Sequence, residues 1–117
     1  MMNFTEKRKY PRIDTHLSLR YKELHGNSYL SKRVLTKNLS FSGVRFSADR
    51  FIALSSPLVL EIKLPSTPKW LKIISKVAWI KKISDGEEYD VGNYFLAMAS
   101  KDESTISNYL ENTLKAI

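Results

Sequence analysis

Leu58-Val59-Leu60-Glu61-Ile62-Lys63-Leu64-Pro65-Ser66-Thr67-Pro68 is the stretch that decides the fold class. Leu58, Leu60, Ile62 and Leu64 alternate with Val59, Glu61 and Lys63, the period-two pattern of a strand with one buried face. Pro65 and Pro68 end the run, because proline has no amide proton to give to a ladder. Downstream, residues 71–82 read as a further strand with Val77 and Trp79 on one face. Ser84-Asp85-Gly86-Glu87 then reads as a turn, and Tyr89–Met98 as the last strand. Upstream, Leu17, Leu19 and Tyr21 alternate with Ser18, Arg20 and Lys22, and His25-Gly26-Asn27-Ser28 reads as a turn. Residues 29–39 are expected to pair back as a hairpin, Gly43 punctuates their end, and Val44–Ala48 is the third strand. Six short strands with turns between them predict a mainly β protein: a six-stranded antiparallel barrel, not a parallel sheet.

The period changes near the C-terminus. Ile106, Tyr109, Leu110, Leu114 and Ile117 fall at helical spacing, and Ser100-Lys101-Asp102-Glu103 reads as a capping box. A C-terminal amphipathic helix over about residues 101–116 is expected, its apolar stripe covering barrel surface. The same stripe has the chemistry to meet a partner protein or a second copy of the chain. No repeat or linker divides the 117 residues. The organisation is a basic N-terminal arm, residues 1–12, followed by one barrel with its helix, residues 13–117.

Composition narrows the function. The absence of cysteine removes disulfides, thiolate catalysis and cysteine metal sites, and fits a reducing compartment. No apolar stretch follows the first charges and no run reaches the ~20 residues of a membrane span, so a soluble cytoplasmic protein is expected. His16 and His25 lack metal-ligand spacing, and no phosphate-binding loop, nucleophile elbow or dinucleotide fingerprint is present. Asp85, Glu87, Glu88 and Asp90 read as a solvated loop, and Trp79 and Phe95 as core. No catalytic residue, metal or cofactor is expected, and the protein is not read as an enzyme.

The net charge of +7 lies entirely in one half. Residues 1–50 hold 11 Lys and Arg against 4 Asp and Glu, and residues 51–117 hold 8 of each. This half carries two short polar motifs. Arg8-Lys9-Tyr10-Pro11-Arg12 sets two guanidinium groups four residues apart, and Pro11 biases Tyr10 away from helix. Two planar forks on an extended segment suit phosphate and the O6/N7 edge of guanine. Asn38-Leu39-Ser40-Phe41-Ser42-Gly43 supplies an amide, a hydroxyl and a glycine that permits close approach. Each motif alone also fits an ordinary feature, a solvated tail in the first case and a strand-ending turn in the second.

Together, in this order, the motifs resemble those of PilZ domains, bacterial receptor modules for cyclic di-GMP. In that family an arginine arm precedes the first strand and an Asp/Asn-x-Ser-x-x-Gly turn follows the second. Gly43-Val44-Arg45-Phe46, Lys76-Val77-Ala78-Trp79 and Tyr89-Asp90-Val91-Gly92-Asn93-Tyr94-Phe95 are similar to further strands of the family, so the resemblance covers roughly residues 7–100. It implies that Arg8 and Arg12 bind phosphate and guanine, that Asn38 and Ser40 meet the ligand from the barrel, and that Gly43 shapes the turn. Lys7, Lys9, Arg33 and Arg45 are possible additions. The family often has arginine where Lys7 stands, and the loss of the fork bears on affinity or on how many nucleotides bind. The expected function is a cyclic di-GMP receptor that orders its arm over the ligand and signals to a downstream partner protein. The alternatives are a basic barrel binding single-stranded nucleic acid, which is not the expected partner, and a ligand-blind adaptor, against which the intact motifs argue.

Overall fold

The computed structural model describes residues 12–25, 30–65, 67–83 and 85–115. The expected arm, including Lys7, Arg8 and Lys9, therefore lies outside the described residues, as does most of the 25–28 turn. Seven strands and one helix follow in order: β1 (Ile13–Asp14), β2 (Ser18–Glu23), β3 (Val34–Leu39), β4 (Gly43–Ala48), β5 (Pro57–Lys63), β6 (Trp70–Lys82), β7 (Tyr89–Met98) and α1 (Ser100–Lys115). All pairings are antiparallel, in the order β1-β3-β2-β5-β6-β7-β4. An additional β3–β4 pairing closes β2 to β7 into a ring of six, the barrel anticipated from the sequence. Among the described residues, closure leaves no long unpaired edge.

The alternation in Leu58–Leu64 works as the pattern requires: Leu58, Leu60, Ile62 and Leu64 are fully buried, with Leu19, Tyr21, Leu39, Phe46, Ile73 and Val91 from the other strands. Tyr21 carries a hydroxyl into this core and donates it to Asp49. Burial, and then the Asp49 contact, pushes its pKa up to about 12, so the phenol stays neutral.

β1 and β2 are one strand broken in the middle. Both run beside β3, Ile13 opposite Leu39 before the break and Ser18 opposite Leu35 after it. The buried Thr36 staples the gap: its hydroxyl donates to the Thr15 carbonyl and accepts from the Leu17 amide at 2.8 Å. A buried hydroxyl satisfied on both sides in this way holds position better than an apolar isostere would.

The structure changes four local expectations. The second strand starts at Val34, and residues 30–33 form no strand. Trp79 is not core. Leu71, Ile73, Ser75 and Val77 point inward, and regular alternation would send residue 79 inward too. A register shift between Val77 and Trp79 against β7 inserts one residue, and Trp79 emerges 38% exposed on the outer surface. Asp90 is not part of a solvated loop but a buried residue of β7. Finally, the Asp102 and Glu103 amides donate to the Ala99 carbonyl, so the helix begins at Ser100 and that serine stands within the first turn instead of capping it.

α1 packs its stripe against the barrel through the buried Ile106 and Leu110, with Tyr109 and Leu114 partly covered. The Tyr109 hydroxyl meets Thr15 Oγ1 at 3.0 Å, beside β1. A cleft of about 200 Å³ remains between the helix and the β3–β4 turn, lined by Phe41, Met98, Glu103, Ile106 and Ser107.

Candidate functional site

The two motifs are 26 positions apart in sequence, counted from Arg12 to Asn38, and β1 brings their ends together. Asp14 pairs with Asn38 and Ile13 with Leu39, so the next residue outward, the exposed Arg12, heads toward Ser40. Antiparallel pairing sets this direction, and the Thr36 staple secures it.

Within the second motif, Ser40 and Asn38 differ in role. Ser40 is buried, and its hydroxyl accepts the Ser42 and Gly43 amides at 3.2 Å each, while its own amide donates to the Gly43 carbonyl at 2.9 Å. It is the internal brace of the turn. Gly43 is required by close approach: a Cβ there would stand 2.2 Å from the Asn93 carbonyl oxygen of β7. Asn38 stands on the outer side of β3, half-buried. It reaches that side because the β3–β4 register shifts between Thr36 and Asn38, which turns both Lys37 and Asn38 away from the core.

Asn38 is one member of a row across the barrel exterior. Asp14 of β1 pairs with Asn38, Asn38 with Arg45 of β4, Arg45 with Gly92 of β7, and Gly92 with Trp79 of β6. The Arg45 guanidinium lies 5.8 Å from the Trp79 ring, within cation–π reach. Arg45 therefore belongs to the same surface as Asn38. Arg33, the other possible addition, lies over Trp70, 5.4 Å from the ring.

Asp90 anchors the cations of this surface. Its carboxylate accepts from Lys37 Nζ at one oxygen and from Arg45 Nη2 at 2.7 Å at the other. Burial would raise the Asp90 pKa, but hydrogen bonds and charge from Lys37 and Arg45 outweigh it and hold the carboxyl below its ordinary value. Two half-exposed cations on Asp90 leave one positive charge beside Asn38; the exposed Asp14 paired with Asn38 offsets it, and the exposed Arg12 makes the edge net positive. The arrangement suits an anion carrying a flat polar ring: guanidinium forks for phosphate, an amide for a ring edge, and an indole for a ring face.

Lys37, Asp90 and Trp79 were not singled out for this surface from the sequence. Their signal was faint. Trp79 faces outward only because of a register shift, Lys37 is an outward lysine whose carboxylate partner lies on a distant strand, and Asp90 stands two residues after the acidic turn residue Glu88.

A small closed antiparallel barrel with a C-terminal helix, an arginine entering beside an Asn-x-Ser-x-x-Gly turn, defines a class of compact ligand-binding module. The PilZ domain model matches residues 6–112, and the chain belongs to that family. The fold is similar to that of MotI/DgrA, an inhibitor of motility from Bacillus subtilis, with a TM-score of 0.74 and 19% identity over 94% of this chain and 53% of that one. It is similar to MrkH of K. pneumonia in its c-di-GMP complex, with a TM-score of 0.70 and 19% identity over 95% and 54%. The PilZ domain of YcgR from Escherichia coli with c-di-GMP superposes with a TM-score of 0.64 and 18% identity, over 95% and 98%. The chain thus spans about half the length of the MotI and MrkH chains and nearly all of the YcgR domain. No curated protein sequence matches it significantly.

Proposed function

We propose that this PilZ domain is a receptor for cyclic di-GMP, bound on the outer face formed by β1, β3, β4 and β7 with Trp79 at its edge. The observation that carries this reading is the β1–β3 pairing, which delivers Arg12 to the Asn38–Gly43 turn. Arg12, with Arg8 from the arm, takes phosphate and the guanine O6/N7 edge. Asn38 reads a base edge, Arg45 adds charge, and Trp79 offers a ring face. Ser40 and Gly43 serve by building the turn. The two PilZ-fold complexes with c-di-GMP support the ligand class.

Binding orders the arm over the nucleotide, and the closed arm with its ligand becomes a surface for a downstream partner protein. In this reading the domain acts by binding alone, without a catalytic step, in the cytoplasm where the messenger is made and read. None of the described helices is long and apolar enough to cross a membrane.

Isothermal titration of the full chain with cyclic di-GMP, with GMP as control, tests the reading. Saturable heat with the cyclic dinucleotide alone is expected, with affinity lowered by about 2–4 kcal/mol in Arg12→Ala, the cost of removing one partner of a desolvated charge pair. Unchanged affinity in both Arg8→Ala and Arg12→Ala would overturn it.

A further inference from the structure

We propose that the opposite half of the barrel, the outer face of β2, β5 and β6, is a second binding surface, and that its ligand is single-stranded nucleic acid. In the closed ring β2, β5 and β6 are contiguous, as are β3, β4 and β7, so the two surfaces take different halves of the barrel and meet at the β6–β7 seam, where Trp79 edges the first and Tyr94 the second. The register sets out the second one in rows: Ser18, Lys63 and Trp70; Arg20, Glu61 and Lys72; Lys22, Val59 and Ile74, of which Val59 is buried; then Pro57 and Lys76. Five of these side chains are cationic and one is acidic. Glu61 is engaged by Arg20 at 2.6 Å, whereas Lys22, Lys72 and Lys76 have no carboxylate partner among the described residues.

Aromatic rings border these lysines. Arg20 lies 4.0 Å above the Trp70 ring with Arg33 at 5.4 Å, and Tyr94, 41% exposed, is paired in register with Lys76. Adjacent strands stand ~4.8 Å apart and alternate residues ~6.6 Å apart, so the cations form a grid able to meet several phosphates at once. One face of the Trp70 ring is taken by Arg20, so base stacking falls to the guanidinium plane of Arg20 and to the exposed Tyr94.

The composition separates this ligand from others. A protein-docking core is depleted of charge and built on large apolar anchors, and lysine is disfavoured there. A lipid surface would use the cations but not the rings set among them. A duplex is stiff over ~50 nm and would touch a convex barrel along a short line, whereas a single strand follows the curvature.

The test is fluorescence anisotropy of a short labelled oligothymidylate titrated with the full chain across a salt series. Saturable binding is expected, about tenfold weaker in Lys72→Ala/Lys76→Ala, with a salt slope shallower by ~0.7 for each phosphate that the variant no longer neutralises. Lys101→Ala/Lys115→Ala, on the helix, is expected to bind as the parent does, and saturating cyclic di-GMP is expected to leave the oligonucleotide bound. Four results would overturn the proposal: no anisotropy change at low salt, affinity insensitive to the Lys72/Lys76 pair, displacement by cyclic di-GMP, or binding through these lysines to phosphatidylserine vesicles and not to the oligonucleotide. The cyclic di-GMP titration reads the other face, so the two proposals fail separately.

Discussion

Gly92 and Trp79 occupy one space on the barrel exterior: a Cβ on residue 92 would stand 2.2 Å from the indole Nε1 and 2.3 Å from Cε2. The missing side chain of β7 is what lets the indole, pushed outward by the shift in β6, rest against the sheet beside Arg45. Gly92→Ala is therefore expected to displace the indole and to cost about 1–3 kcal/mol as an overpacked site. Urea denaturation measures the loss, and a changed Trp emission maximum in the folded protein reports the displacement. Cyclic di-GMP affinity should fall with it.

Asp90 links stability to pH. Its folded-state pKa is depressed, so it contributes stability that is fully present above the ordinary carboxylate value of ~3.9 and is lost as pH falls through the lower folded value. Asp90→Asn removes the charge and weakens both bonds, at a cost of about 1–2 kcal/mol near neutral pH for a partly exposed ionic pair. The difference between parent and variant should shrink toward zero in acid. Urea midpoints measured from neutral pH down to about pH 2 check this, and a constant offset would show that the carboxylate charge is not the cause.

Ser40 and Asn38 belong to one motif but should respond differently. Ser40→Ala removes the acceptor of two turn amides in a buried position and is expected to cost about 1–3 kcal/mol of stability, with any fall in ligand affinity following from the damaged turn. Asn38→Ala changes a half-buried outer side chain and should leave stability within about 0.5 kcal/mol while weakening cyclic di-GMP binding. Thermal melts and titrations of both variants separate the two roles.

Thr36 tests whether the arm must be held at its root. Thr36→Val keeps the shape and loses the bonds to Thr15 and Leu17, at a cost of about 1–3 kcal/mol. Thr36 touches no proposed ligand atom, yet affinity is expected to fall, because Arg12 reaches the turn only while β1 stays on β3. Hydrogen exchange at Ile13 to Leu17 should quicken in the variant. Unaltered affinity with quickened exchange would show that the arm finds its ligand without β1.

Much of this protein was legible before folding. The alternations through Leu17–Tyr21 and Leu58–Leu64 named core residues that are buried, and the helical stripe placed Ile106 and Leu110 against the barrel. These are local properties, because which face of a strand or helix is apolar is written in consecutive residues. Both motifs were visible for the same reason.

Tertiary structure alone decided how those pieces meet. β1, two residues long, is too short to show a period, yet its pairing with β3 carries Arg12 to the turn. The register shifts at Thr36/Asn38 and Val77/Trp79 are properties of strand pairs, and neither strand announces them by itself. One turns Lys37 and Asn38 outward together, and the other takes Trp79 from the expected core to the surface. Asp90, read as loop, becomes an anchor only because β3 and β4 bring Lys37 and Arg45 over β7. Periodicity is local and so is written in the chain, whereas register between distant strands is a collective result of closing the barrel.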